Sequence, residues 1–315
     1  MGMAAFWPRL LGRALLGLIL LTPALTMAAD GKEAPSFSRK GADTCLKCHD
    51  SDHVEAIFQT PHGEPANPDS PFAGLQCESC HGPGGDHAGR VRAGETRPPI
   101  MSFGSDAAAP VEDQNEVCLG CHQNDLPGKW HGDVHEQSET ACADCHEVHA
   151  VRDPVLTREG QAGVCYGCHT GKRSQFQRAF AHPVRFDEVT CTDCHSPHNS
   201  FSVSMLKEQS LNETCYSCHE EKRGPFLWEH LPVAEDCTNC HRPHGSNHPG
   251  MLTKAKPLLC QDCHSRAGHP SVARTGQGLP GSEGQASKFT VGGSCTNCHS
   301  RVHGSNHPSG ANLTR

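Results

Sequence analysis

The chain has 315 residues, of which 35% are hydrophobic and 5% aromatic, whereas glycine and proline contribute 32 and 23 residues. A chain this long with so few apolar side chains needs other apolar material to fold around. Its formal net charge of −8, with histidines neutral, disfavours general nucleic-acid binding.

The first 28 residues are predicted to form a secretory signal peptide. Arg9 and Arg13 precede an apolar run over residues 14–21, and small residues follow up to Ala28, after which we place the cleavage. A transmembrane anchor is the alternative, but this run is shorter than the roughly 20 residues that a membrane span requires. We therefore expect residues 29–315 to be exported.

Twenty cysteines dominate the remaining chain, and every one belongs to a C-x-x-C pair that is followed directly by histidine. A disulfide scaffold is the alternative for an exported protein, but neither disulfides nor zinc knuckles require that histidine. C-x-x-C-H is the attachment signal for c-type haem, in which two thiols on one helical turn hold the porphyrin edge and the histidine binds iron. The sequence therefore predicts ten covalently attached haems.

The predicted attachment residues are Cys45, Cys48, Cys77, Cys80, Cys118, Cys121, Cys142, Cys145, Cys165, Cys168, Cys191, Cys194, Cys215, Cys218, Cys237, Cys240, Cys260, Cys263, Cys295 and Cys298. The predicted proximal iron ligands are the motif histidines His49, His81, His122, His146, His169, His195, His219, His241, His264 and His299. Ten porphyrins would also replace the missing apolar core.

The motifs form five two-haem modules, which we place at residues 45–117, 118–164, 165–214, 215–259 and 260–315 within one cytochrome domain, 29–315. Self-similarity of this kind predicts a quasi-linear array. We expect an elongated multihaem cytochrome c, mostly coil with short α-helices and little or no sheet. Helices are predicted over "QNEVCLGCH" and "SDHVEAIFQ", an exposed loop over residues 271–294, and a linker over residues 88–116 that wraps the array or contacts a partner.

A second set of ten histidines recurs at similar distances from the motifs. One follows each first motif of a module and one follows each second motif, which gives one extra histidine per haem. Because haem iron takes one axial ligand on each face, this count predicts bis-histidine ligation throughout. The predicted distal ligands are His62, His87, His135, His149, His182, His198, His230, His244, His269 and His303. Which of them serves which haem stays open.

Methionine is the competing axial ligand, and the exported chain offers Met101, Met205 and Met251. Leu156 takes the position of the last two in the second module, which favours packing over coordination there. Four further histidines are surplus to the count: His53, His131, His248 and His307. We expect these to be solvated or hydrogen-bonded, with a place near a haem propionate or a ligand swap as the alternative.

The order of these motifs, including "CLKCH", "CESCHGPGGDH", "QNEVCLGCH" and "CTNCHRPHGSNHP", resembles the periplasmic decahaem cytochromes of the MtrA/DmsE type over essentially the whole exported chain. This resemblance implies an outer-membrane electron conduit, in which the cytochrome lies in or beneath a β-barrel porin. It also implies periplasmic or inner-membrane cytochromes as partners on one side. On the other side it implies an extracellular multihaem cytochrome, or donors and acceptors such as iron, as in relatives of the MtoA/PioA type.

Three functions remain open at this point. The first is an electron carrier with no substrate chemistry, which requires two axial ligands on every iron. The second is a multihaem reductase of an oxyanion, which requires one open iron position, although all ten motifs end in histidine. The third is a free periplasmic shuttle that never enters a porin.

Overall fold

The computed structural model describes residues 36–124, 130–198, 204–256, 258–264 and 295–315. The predicted signal peptide, the predicted loop at 271–294 and His269 lie outside these residues. The α-helices are α1 (Ala42–Cys45), α2 (Asp52–Glu55), α3 (Glu78–His81), α4 (Val111–His122), α5 (Val134–Gln137), α6 (Arg158–Cys168), α7 (Thr170–Phe176), α8 (Leu211–Tyr216), α9 (Leu231–Glu235) and α10 (Leu258–Gln261).

The fold is mostly coil with short helices, as predicted. The described residues form no β-strand, only isolated bridges such as Phe180 with Ser246 and Trp228 with Ser305. The predicted helix over "QNEVCLGCH" is α4, and that over "SDHVEAIFQ" is α2 continued by a 3-10 helix, Ala56–Gln59. Among the described residues, no helix is both long and apolar enough to cross a membrane.

The helices serve mainly to present the motifs. The first motif of each module lies in or directly after an α-helix, and α4 and α6 are the longest, with 12 and 11 residues. Four second motifs instead begin a 3-10 turn. These turns are Cys142–Asp144, Cys191–Asp193, Cys237–Asn239 and Cys295–Asn297.

Buried amide side chains, rather than apolar ones, join the two motifs of a module. Asn115 in α4 is 5% exposed; its Oδ1 accepts from the Cys142 backbone N–H at 2.7 Å and its Nδ2 donates to the Thr140 carbonyl. Asn212 in α8 likewise accepts from the Cys237 N–H at 2.9 Å. Gln161 of α6 accepts from the Thr192 N–H. Because a buried polar group left unpaired is costly, these bonds fix each first motif against the second one.

The predicted linker at 88–116 folds back over the first module. Met101 exchanges backbone bonds with His81: its N–H donates to the His81 carbonyl at 3.1 Å, and its carbonyl contacts His81 Nδ1 at 2.8 Å. Further along the linker, the Pro98 carbonyl lies 2.8 Å from His87 Nδ1. The linker therefore orients two imidazoles, and Met101 contributes through its backbone.

A tight return segment follows the second motifs of the last three modules. One residue in it has a left-handed backbone, and its carbonyl accepts a bond from the N–H one residue after the motif histidine, or two residues after it in the last module. The left-handed residues are Met205 (φ 49°), Met251 (φ 55°) and Leu313 (φ 56°). Leu156, which takes this sequence position in the second module, ends the 3-10 helix Pro154–Leu156 instead and has no left-handed backbone.

The repeated "HGSN" stretch is a turn that requires glycine. Gly245 has φ 132°, and a Cβ there would lie 2.3 Å from the Gln175 carbonyl oxygen. The following Ser246 is 3% exposed and bridges to Phe180 of the preceding module. This turn therefore holds the fourth module against the third.

Candidate haem sites

Each C-x-x-C-H motif forms one helical turn. In nine motifs the histidine N–H donates to the carbonyl of the first cysteine at 2.9 to 3.0 Å, and the tenth lies inside α4. This turn brings both thiols and the adjacent imidazole together, which is the arrangement that haem attachment needs. None of the twenty cysteines is in a disulfide.

The structure places a second imidazole opposite nine of the ten motif histidines. The ring centroids of these pairs are 5.8 to 6.3 Å apart. The pairs are His49–His87, His81–His149, His122–His62, His146–His198, His169–His135, His195–His244, His219–His182, His241–His303 and His264–His230.

This spacing fits an iron ion between the two rings. Metal–imidazole bonds are about 2 Å long and the nitrogen lies ~1 Å from its ring centre, so two axial imidazoles have centroids about 6 Å apart. The donor chemistry also fits, because neutral imidazole is a usual axial ligand of haem iron. The residues present therefore suit bis-histidine haem c at these nine positions.

The pairs interlock neighbouring modules. The distal histidine after a first motif faces the first motif of the next module, as His135 faces His169. The distal histidine after a second motif faces the second motif of the preceding module, as His244 faces His195. Each junction between modules is thus crossed by two reciprocal pairs.

The first module shows how the series is closed at its beginning. His87 follows the second motif of this module, and it faces His49, the first motif histidine of the same module, at 6.2 Å. At the other end, His299 is bonded through Nδ1 to the Asn312 carbonyl at 2.6 Å. Its expected counterpart, His269, lies outside the described residues.

Thiol contacts run through the same series. Within a module, the first cysteines of the two motifs touch: the Cys142 thiol bonds to Cys118, which lowers the pKa of Cys118 to about 7. The five contacts are Cys45–Cys77, Cys118–Cys142, Cys165–Cys191, Cys215–Cys237 and Cys260–Cys295. Between modules, second cysteines come close enough for their charges to interact. These are Cys80 with Cys121, Cys145 with Cys168, Cys194 with Cys218 and Cys240 with Cys263.

Burial keeps several distal imidazoles neutral. Loss of solvent is the largest influence on the pKa of His244, which falls to about 4. Burial is likewise the main cause of the lowered pKa of His62, His149, His198 and His303. A neutral imidazole is the form that binds metal, so burial favours the coordinating form of these side chains.

The outer nitrogens of the paired imidazoles are held by hydrogen bonds. His135, His182 and His230 each place Nδ1 against a carbonyl two or three residues beyond a motif histidine of the next module, at 2.8 to 3.2 Å. Such bonds orient the ring and leave Nε2 for the metal.

The four surplus histidines have other partners. His131 Nδ1 contacts Glu136 Oε1 at 2.7 Å, and the His248 N–H donates to Ser246 Oγ at 3.0 Å. The His307 carbonyl accepts from the Trp228 indole N–H, and His53 stacks on His149 at 5.4 Å. The first three positions agree with a hydrogen-bonded role, whereas His53 lies against a predicted ligand.

Sequence reasoning missed the amides that lock the motifs together. Asn115 and Asn212 both stand three residues before a first-motif cysteine, in "NEVC" and "NETC". That shared pattern is the signal that could have identified them. Gln161 does not follow this pattern, because it lies four residues, not three, before Cys165.

The known proteins that this chain resembles are multihaem and c-type cytochromes. The sequence profile for "Cytochrome c-type protein NrfB-like" matches residues 77–162. The profile for "Doubled CXXCH motif" matches residues 182–224 and 230–269, and that for "Cytochrome c554 and c-prime" matches residues 23–82. Multiheme cytochrome MtrA of Shewanella baltica is 49% identical over 281 residues, which are 89% of this chain and 83% of that protein. Cytochrome c-type protein NrfB of Escherichia coli is 31% identical over 161 residues, 50% of this chain and 79% of the relative. NrfB of Haemophilus influenzae is 30% identical over 144 residues, 40% of this chain and 63% of the relative.

Proposed function

The chain belongs to the MtrA family of multihaem c-type cytochromes, and from that premise we propose that it conducts electrons across the outer membrane inside a porin partner. Electron transfer by covalently bound c-type haem follows from the family itself. The transmembrane path, the porin and the location in the periplasm are the proposed part.

The observation that carries the proposal is the series of nine described imidazole pairs, which runs from the first module to the fifth. Bound haem supplies reversible one-electron transfer. The chain's cysteines would fix each group, and at these nine sites two histidines would hold the iron, which would leave no position for a substrate there. This arrangement favours a relay over a reductase.

A membrane-crossing role follows from the surroundings that such a series needs. A bilayer with its headgroups is about 40 to 45 Å thick and offers no conducting path. The described chain is largely coil, and irregular backbone is tolerated at membrane depth only where protein or water covers it. A porin would supply that cover.

The two ends of the series carry different charge, which suits two different partners. Residues 36–117 contain 13 acidic and 6 basic side chains, whereas residues 260–315 contain 2 acidic and 5 basic ones. Opposite charges steer association and like charges oppose it. We propose that the acidic first module meets a basic redox protein, a periplasmic or inner-membrane cytochrome. The last module would then meet extracellular donors or acceptors, such as iron or a multihaem cytochrome.

Reconstitution tests the conduit. The protein would be co-purified with an outer-membrane porin from its own source and placed in liposomes that contain reduced methyl viologen, with ferric citrate outside. We expect rapid dye oxidation with the complex and slow oxidation with the porin alone or with a Cys191→Ala/Cys194→Ala variant. A porin complex that leaves the dye reduced would contradict a conduit, and failure to bind any porin would favour the free shuttle.

A further inference from the structure

We propose that the fourth haem, attached at Cys142 and Cys145, has the lowest reduction potential of the series, because the Asp153 carboxylate lies directly against its ligand His146. This inference rests on the ligand pair His146 and His198 in the proposed function. It adds to the relay a minimum of reduction potential at the junction of the second and third modules.

The proximal side of this site differs from the other second motifs. His146 Nδ1 contacts Asp153 Oδ2 at 2.7 Å, and the Asp153 side chain is only 15% exposed. The four corresponding histidines contact neutral backbone carbonyls instead. These contacts are His81 with Met101, His195 with Ser204, His241 with Gly250, and His299 with Asn312, at 2.6 to 2.8 Å.

The local sequence explains the exception. In the third and fourth modules the carbonyl comes from a residue nine positions after the motif histidine, whereas Asp153 stands seven positions after His146. This shorter return brings a side chain to the place of a carbonyl. The other carboxylate oxygen of Asp153 accepts from the backbone N–H groups of Glu147 at 3.3 Å and Val155 at 3.2 Å, which fixes its orientation.

A second carboxylate, Asp133, lies beside a ligand of the fifth haem. The Asp133 side chain is fully buried, and its Oδ1 accepts from the His135 N–H at 2.9 Å. The same Oδ1 lies 3.8 Å from Nδ1 of His135, which faces His169, without a hydrogen bond to that ring. Trp130, 7% exposed, packs edge-on against the His198 ring at 6.2 Å and keeps water from this ligand.

The contact of Asp153 with His146 favours the ferric state. A carboxylate that accepts the outer N–H of a ligating imidazole makes that imidazole a stronger electron donor. A buried negative charge also interacts strongly with the extra positive charge of ferric iron, because the surrounding dielectric constant is low. Reduction by one electron from an external reductant removes that attraction, so the fourth haem should accept its electron last.

The test is a dithionite titration of the purified, fully haem-loaded protein, followed by optical spectra and low-temperature EPR. The variants are Asp153→Asn and Asp133→Asn. Glu136→Gln is the matched control, since Glu136 forms the same 2.7 Å contact to His131, a histidine that faces no motif. His198→Ala identifies the signal of the fourth haem by converting it to high spin.

We expect that signal to be the last reduced in the wild-type protein. In Asp153→Asn its ferric-to-ferrous ratio at fixed potential should fall at least tenfold, about 59 mV for one electron, with no such change in Glu136→Gln. Asp133→Asn, next to a ligand of the fifth haem, should move the signal of the fourth haem less than Asp153→Asn does, and a haem stoichiometry of ten would verify that each variant is intact.

The inference is overturned if Asp153→Asn moves no signal further than Glu136→Gln does, or if another haem is reduced last. A failure of the ligand assignment would look different, because His198→Ala would then leave every haem low-spin. The titration needs no membrane or porin, so its result is separate from that of the conduit test.

Discussion

The ring of His244 lies 6.0 Å from that of His195, a motif histidine of the preceding module, and the two planes are inclined by 22°. Four residues further on, His248 donates its backbone N–H to Ser246 Oγ and helps to form the turn. Two histidines of one short stretch therefore have separate roles.

Replacement of His244 by alanine should remove one axial ligand without loss of the haem, because Cys191 and Cys194 hold that group covalently. We expect one high-spin ferric signal in ten by EPR, with unchanged haem content. His248→Ala is the control and should keep all signals low-spin. A high-spin signal in His248→Ala, and none in His244→Ala, would reverse the assignment.

The angles between paired imidazoles predict two classes of low-spin EPR signal, since ring orientation sets the anisotropy of the ferric ion. Five described pairs are nearly parallel, at 14° to 26°, and four are tilted, at 45° to 71°. Spin quantification should give about equal rhombic and highly anisotropic populations. A single uniform class would contradict the described ring orientations.

Removal of the Asn212 amide should loosen the fourth module. Asn212→Ala leaves the Cys237 N–H and the Val233 carbonyl without this partner, at an expected cost of about 1–3 kcal/mol in the free energy of unfolding. The exposed Asn239, which donates to the Pro232 carbonyl, provides the control, and Asn239→Ala should cost well below that. Guanidinium unfolding followed by far-UV circular dichroism measures both, and equal losses would show that the buried amide has no special role.

Alanine substitutions at two glycines with positive φ, Gly245 and Gly250, distinguish the destabilisation caused by steric crowding from that caused by backbone conformation. Gly245→Ala would bring a Cβ to 2.3 Å from the Gln175 carbonyl oxygen, whereas a Cβ at Gly250 meets nothing within 4 Å. Both variants carry the cost of the left-handed conformation. Only Gly245→Ala should also disturb the contact between the third and fourth modules, with a clearly larger drop in melting temperature. Similar drops would exclude close packing at this turn.

Features that depend on a few neighbouring residues could be predicted from the sequence. Cysteine spacing over five residues predicts the haem attachment, and the helix over Val111–His122 follows from the same short pattern. The pairing of His62 with His122, 60 residues apart, depends on how modules stack, and no local signal encodes it. The contact of Asp153 with His146 was missed for another reason, because an aspartate beside proline in a loop reads as an ordinary turn residue.

We propose that each haem in the series has two histidine ligands and relays electrons without binding a substrate. Low-temperature EPR of the fully oxidised, purified protein, with spins quantified against haem content, measures the ligation of every iron. We expect ten low-spin ferric haems and no high-spin signal above trace level. A high-spin signal that amounts to one haem per protein would contradict the relay and favour an iron with an open position, as a reductase needs.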